Sequence, residues 1–280
     1  MSTNPERPIW WPPATSEPPA GVVIASINYN TKPLIAHLLW SVHRFLGDTV
    51  HSVLIIDNGS TDGSVELLQA VAAAGLCELI VNRQNRHHGP ALSQALSYLA
   101  HTQQARQRGR PWIWLLDSDC LIAHADAATA AIDAAHAANA ALVGESYWNR
   151  WNNDYRFSGF SLLLDPAQVW RPEIGPIPDG GDPIGEFTQA CRAHGVSGLS
   201  FPFTQEGYLI HVGRSTLAAV RQREERANPH YGWAQDHHEP HFQEVPAAPS
   251  RYAALVNEFN ELVPTLDAEA LILACREVQA

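Results

Sequence analysis

The residues with the clearest chemical promise are Asp117 and Asp119, which end the apolar run Trp112-Ile113-Trp114-Leu115-Leu116 with Ser118 between them. In an extended chain the side chains at i and i+2 leave on the same side, so both carboxylates point toward one spot beyond a strand end. Paired hard oxygen donors suit Mg²⁺ or Mn²⁺, ions that keep positions open for water and for phosphate oxygens. Asp and Ser also favour turns for reasons of their own. The elements around the pair therefore decide between a turn and a site.

Those elements alternate. The run Gly21-Val22-Val23-Ile24-Ala25-Ser26-Ile27 has the β-branched content of a strand buried on both faces. It ends at Asn28-Tyr29-Asn30-Thr31, and Pro33 then opens a helical pattern through Leu34, Leu38, Leu39, Val42 and Leu46. Val53-Leu54-Ile55-Ile56 ends on Asp57-Asn58-Gly59-Ser60-Thr61-Asp62-Gly63-Ser64, again followed by a helical pattern. Glu78 to Val81 leads into the polar stretch Asn82 to Pro90 and a helix near Ala91 to His101. With 112–116 as the fourth strand, the alternation predicts an α/β fold with a mostly parallel sheet and right-handed crossovers. Parallel strands carry their loops to one edge of the sheet, where ligands of open sheets bind.

The second half is less regular. An Ala-rich helix within 125–143 precedes a strand at Ala141 to Gly144, then Ser146 to Phe160 is expected as a polar and aromatic loop. Ser161 to Leu164 reads as a strand, 172–183 as a proline- and glycine-rich loop, Ile184 to His194 as a helix and Tyr208 to Val212 as a late strand. Two helical patterns, Tyr252 to Leu262 and Ala268 to Val278, close the chain. His230, His237, His238 and His241 with Asp236 and Glu239 have no regular ligand spacing and are expected in a polar loop.

At 280 residues, 45% hydrophobic and 17% charged, the chain has the balance of a globular α/β domain. A net charge of −11 argues against a nucleic-acid or anionic-membrane partner. Cys77, Cys120, Cys191 and Cys275 lie far apart with no C-x-x-C pair, which predicts reduced, mostly buried thiols in a cytoplasmic protein. Residues 1–20 lack the basic-then-apolar pattern of an export signal and are expected to form a proline-rich leader. No apolar run approaches the roughly 20 residues of a membrane helix.

Taken together, Val23 to Asn30, the segment Ile55-Ile56-Asp57-Asn58-Gly59-Ser60-Thr61-Asp62-Gly63 and the Asp117-Ser118-Asp119 motif resemble, in order and spacing, the GT-A glycosyltransferases of family 2. The resemblance covers roughly residues 21 to 120 and implies a GT-A (Rossmann-like) sheet, a smaller mixed sheet on the acceptor side and C-terminal helices. It implies a nucleotide-sugar-binding half at 21–145, an acceptor and catalytic half at 146–245 and a helical tail at 246–280. By position, Tyr29 would lie against the nucleotide base with the backbone of Ile27 beside it. Asp57 would read the base or ribose, and Arg86 would reach base or phosphate. Asp117 would face the ribose or the cation's waters, and Asp119 the cation itself, with His211 completing the metal site. Gly181-Asp182-Pro183-Ile184-Gly185-Glu186 resembles the segment supplying the general base, with Asp182 leading and Glu186 in reserve. Departures from the family pattern fall at Asn58, where a second acid is usual, and at Gln94 and Ala95.

The implied reaction is an inverting transfer of a sugar from a UDP-, dTDP- or GDP-sugar to a hydroxyl acceptor, with Mn²⁺ or Mg²⁺ as cofactor. A retaining transferase and a non-catalytic sugar-nucleotide binding module are the alternatives. A nucleotidyltransferase would need a glycine-rich phosphate loop, and Asn28 to Lys32 has no glycine. A dehydrogenase would need G-x-G-x-x-G after a strand.

Overall fold

The computed structural model describes residues 10–11, 21–106, 111–149, 152–213 and 248–277. Most of the leader and the His230 to His241 cluster lie outside the described residues.

The four apolar runs form parallel neighbours: β1 (Val22–Asn28), β2 (Val50–Asp57), β3 (Glu78–Val81) and β4 (Trp112–Asp117). Their spatial order is β3-β2-β1-β4, with α1 (Lys32–Leu46), α2 (Ser64–Ala73) and α3 (His88–Arg106) in the crossovers. Register matters more here than topology. Asn28 stands opposite Asp57, and Ile27 stands opposite both Ile56 and Asp117. Three strands thus stop at one level and deliver Asn28, Asp57 and Asp117 side by side.

After β4 come β5 (Cys120–Ile122), α4 (Ala127–Ala138), β6 (Leu142–Asn149) and β7 (Asp154–Leu164). Then follow α5 (Pro166–Val169), α6 (Pro183–Ala193), β8 (Gly198–Ser200) and β9 (Leu209–His211). The chain closes with α7 (Ala248–Leu262) and α8 (Ala268–Glu277). The main sheet has seven strands in the order β3-β2-β1-β4-β7-β6-β8, and β7 alone runs against its neighbours. The smaller sheet pairs β5 with β9, antiparallel, and sets Cys120 opposite His211.

One expectation is corrected. Residues 146–160 are not a loop but largely the outer half of a β6–β7 hairpin, in which Tyr147 pairs with Arg156 and Trp148 with Tyr155. The asparagines that suggested a loop belong to its turn and strand end, while the aromatics are cross-strand neighbours of the kind that stabilise a ribbon.

Two cores flank the sheet. On one face α1, α2, α4, α7 and α8 bury Trp40, Leu68, Ile132, Phe259 and Cys275 against Ile24, Ile55 and Trp114. On the other, α3, α5 and α6 bury Leu96, Val169, Ile184 and Phe187 against Val23, Leu54 and Leu115. Trp114 is fully buried, and its indole N–H donates to Ser161 Oγ at 2.9 Å, so the strand before the acid pair is fixed by packing and by one satisfied polar group.

His37 in α1 is buried, its ring edge-on to Phe259 of α7 with centroids 4.6 Å apart. Burial pushes its pKa down to about 4 from an ordinary 6.5. Between these values the unfolded chain takes up a proton that the folded chain refuses, so stability present above pH 6.5 is lost as pH falls toward 4. Over that interval the wild type is expected to lose about 3 kcal/mol more than a His37→Phe variant. Urea midpoints of the two proteins at pH 7, 5.5 and 4 measure the difference.

Candidate active site

The strand ends are joined by a buried hydrogen-bond chain. Asp57 is fully buried; its Oδ2 accepts from Asn28 Nδ2 at 2.8 Å, and its Oδ1 accepts from the amides of Gly59 and Ser60 at 3.2 and 2.9 Å. Asn28 Oδ1 accepts from Thr31 Oγ1 at 2.7 Å, and Thr31 Oγ1 lies 2.9 Å from Ser118 Oγ. Threonine has one hydroxyl hydrogen and spends it on Asn28, so Ser118 is the donor to Thr31. The centre of the Asp-x-Asp motif is in this way tied, through β1, to the end of β2. With no exposed surface, Asp57 is bonded into the 57–60 turn.

Asn58 has a comparable task. Its amide donates to Asn85 Oδ1 at 2.9 Å and to the His87 carbonyl at 3.3 Å, and its oxygen accepts from Asn82 Nδ2 at 3.1 Å and the Arg86 amide at 3.0 Å. A carboxylate could not make the two donations, which accounts for the departure from the family's acid. Gln94 forms a reciprocal amide pair with Asn82 at 3.0 and 3.1 Å. The 82–88 loop is thereby held beside the strand ends with the Arg86 side chain exposed, while Tyr29 stays half-buried at the end of β1, next to the buried Ile27 and Asn28.

Around the acid pair, His88 Nε2 lies 3.3 Å from Asp117 Oδ1 and His211 Nε2 lies 3.4 Å from Asp119 Oδ1. Asp119 is almost buried, whereas Asp117 keeps about a third of its side chain exposed, at 31%. Burial opposes charge on His88, yet the bond to Asp117 and the charges of Asp117 and Asp119 outweigh it and raise its pKa. Burial likewise opposes charge on His211, where Asp119, Asp117 and Glu145 leave the net shift upward. The His211 ring is stacked on Phe160 at 4.3 Å. His88 was not singled out in the sequence, because nothing local distinguishes it from His87.

The ligand atoms of Asp119, Cys120 and His211 lie within 4.8 Å of one another. Cys120 donates its thiol to the Phe160 carbonyl at 3.4 Å, and burial together with Asp119 and Asp117 drives its pKa well above the ordinary thiol range. A neutral thiol is no ligand for a hard ion. The carboxylate and imidazole that remain fit Mn²⁺ or, less well, Mg²⁺, with positions left for other oxygens.

Asp182 stands at the start of α6. It caps α6 by accepting from the Gly185 amide at 3.0 Å, while its Oδ2 takes Arg156 Nη1 at 2.9 Å and the Tyr147 hydroxyl at 3.1 Å. These three partners occupy both oxygens of the Asp182 carboxylate. Glu186, in the first turn of the same helix, is exposed and has no partner among the described residues; its carboxylate reaches back over Gly180. The 178–183 loop is seated on the start of α3, where a Cβ on Gly89 would run into the Pro178 carbonyl oxygen, and His87 Nδ1 meets Asp179 Oδ2 at 2.8 Å. The 82–88 and 178–183 loops therefore meet at the amino end of α3.

A mostly parallel seven-stranded sheet of this order, flanked by helices and accompanied by a small antiparallel second sheet, is the GT-A fold. The chain belongs to glycosyl transferase family 2, whose family model matches residues 22–171. It is a nucleotide-sugar glycosyltransferase. Among solved structures, the mannosyltransferase PcManGT from Pyrobaculum calidifontis, in complex with GDP-Man and Mn²⁺, is 18% identical with a TM-score of 0.52, over 98% of this chain and 90% of that one. Glucosyl-3-phosphoglycerate synthase from Mycobacterium tuberculosis, in complex with Mn²⁺, UDP and glucosyl-3-phosphoglycerate, is 14% identical with a TM-score of 0.48, over 75% and 82% of the two chains. No curated protein matches the sequence. Among the described residues no helix is long and apolar enough to cross a membrane.

Thr31→Val keeps the volume of the link between Asn28 and Ser118 but strips its hydroxyl. It is expected to destabilise the protein by about 1–3 kcal/mol, because two buried polar groups lose their partner, with the denaturant slope unchanged. Thr31→Ser, which restores the hydroxyl, should return the midpoint most of the way in the same urea titration.

Proposed function

We propose that this enzyme transfers a sugar from a UDP-, dTDP- or GDP-sugar to a hydroxyl-bearing acceptor, with inversion at the anomeric carbon and with Mn²⁺ or Mg²⁺ held by Asp119 and His211. The observation that carries the proposal is the meeting of Asp119 and His211, 3.4 Å apart, beside Asp117 at the carboxyl end of β4. Such an ion, when bound, supplies charge neutralisation to the departing diphosphate. Ligation needs a neutral imidazole, so an ion held there would compete with a proton for His211. Mn²⁺ and GDP-Man, named for PcManGT, belong to the classes proposed here.

The chain's own residues divide the work. Residues 21–145 hold the donor: Tyr29 lies against the base with the Ile27 backbone beside it, Arg86 reaches base or phosphate, and Asp117, steadied by His88, faces the ribose or waters on the ion. Asp57 shapes this pocket from beneath. Residues 146–245 hold the acceptor. Glu186 takes the proton of the acceptor hydroxyl as its oxygen attacks, and Asp182 orients the start of α6 so that Glu186 is presented. The acceptor oxygen forms its bond to the anomeric carbon opposite the breaking bond to the diphosphate, so a single in-line displacement inverts that centre while Glu186 keeps the proton.

Asp119→Ala and Glu186→Gln are each expected to lower the transfer rate by about 10²-fold or more while the melting temperature holds. Asp182→Ala should instead lower stability, by about 0.5–2 kcal/mol for the lost cap alone. NMR of the product should show the anomer opposite to the donor's. An Asp119→Ala enzyme that turns over normally with metal present, or a product that keeps the donor's configuration, contradicts the proposal.

A further inference from the structure

Glu145 is a buried carboxylate, 8% exposed, with neither arginine nor lysine against it among the described residues. It falls at the irregularity in the β6–β7 ladder between Gly144 and Ser146, the kind of break that re-aims a side chain beside a site. Its partners are a threonine and backbone. The Thr204 hydroxyl shares its hydrogen between Oε1 and Oε2 at 2.7 and 3.0 Å, and the Thr204 amide donates to Oε1 at 3.2 Å.

Thr204 belongs to the turn that launches β9. The Phe201 amide donates to the Gly144 carbonyl at 3.0 Å, the Gly207 amide to the Thr204 carbonyl at 3.1 Å, and the Leu209 amide to the Phe203 carbonyl at 3.0 Å. Two residues beyond Leu209 stands His211. At its far end the segment is held by β5, and the Val212 amide donates to the Asp119 carbonyl at 3.0 Å. The imidazole is therefore positioned from both sides, by β5 and the Asp119 carbonyl just before it, and by the clamp on Thr204.

The clamp does not explain the charge. Thr204 needs only an acceptor, and a glutamine carbonyl would serve without the cost of burying an anion. Burial raises the Glu145 carboxyl above its ordinary range, and the charge it carries acts on the His211 imidazole. Buried charges persist where a partner or a metal compensates them.

We infer that Glu145 is a positioning residue of the proposed cation site: through Thr204 it fixes the turn that presents His211, and it adds a third carboxylate to the field of Asp117 and Asp119 without ligating the ion. This rests on the assignment of the ion to Asp119 and His211. Outer partners of metal ligands are worth about 10–100-fold in metal affinity, which sets the effect expected.

The test is titration of the full chain with Mn²⁺ alone, read by the electron paramagnetic resonance signal of the free ion, alongside metal-free melting temperatures. Glu145→Gln and Thr204→Val should weaken Mn²⁺ binding about 10–100-fold, with Thr204→Ser close to wild type and the Glu145→Gln melting temperature not lowered. If Glu145→Gln binds Mn²⁺ as tightly as the wild type while His211→Ala does not, the role of Glu145 is refuted and the cation site stands. If the wild type takes up no Mn²⁺, or His211→Ala binds it unchanged, the cation site itself is refuted and Glu145 loses its role with it. Should Glu145→Gln fail to fold, equal Mn²⁺ affinities of Thr204→Val and Thr204→Ser would overturn the inference just as well.

Discussion

The site depends on one buried chain of hydrogen bonds, from Asp57 through Asn28 and Thr31 to Ser118. Its members are nearly or wholly excluded from water, so each bond left unmade would cost the desolvation of a polar group. The chain admits one arrangement of the three strand ends. A slip of β4 against β1 by a single residue would carry Ser118 away from Thr31 and turn Asp117 and Asp119 to the wrong face of the sheet. Hydrophobic burial on both faces holds the sheet together, but it tolerates small shifts. The polar chain does not, and it places the acid pair.

Electrostatics then gives the placed groups their chemistry. Asp117, Asp119 and Glu145 gather around one end of the sheet, in a protein whose net charge is −11, with the imidazoles of His88 and His211 beside them. Carboxylates brought this close raise the proton affinity of the imidazoles beside them and suppress ionisation of Cys120. A site of this charge is poorly suited to a diphosphate unless a divalent cation comes between. The start of α6 is organised by the opposite means, with Arg156 paired to Asp182, the Tyr147 hydroxyl donating to it, and Glu186 left as the exposed acid on the helix.

Much of this was legible in the sequence because it is local. Apolar runs that stop on polar residues give the parallel strands and the loop edge, whereas Ser118 and Asp119 lie in the turn between β4 and β5 and not on the extended strand that the i, i+2 spacing assumed. His211 was legible as a histidine at a strand end. What escaped depends on partners far along the chain. Arg156 pairs with Asp182 across 26 residues, and Thr204 with Glu145 across 59. Neither pair leaves a mark in local composition. The β6–β7 hairpin was obscured for a different reason. Its outer half is not backed by the core, so it shows no run of buried apolar residues, and Trp148 and Tyr155 remain exposed. Asp57 looked like a ligand residue because its type and place match one, while its zero exposure is a tertiary fact.

The central claim is that Asp119 and His211 hold a divalent cation against the diphosphate of a sugar nucleotide. Anomalous diffraction from crystals soaked with Mn²⁺ and a nucleoside diphosphate tests it most directly. A manganese peak bonded by both side chains and by phosphate oxygens is the predicted result. A bound nucleotide with no manganese at these two residues would contradict it.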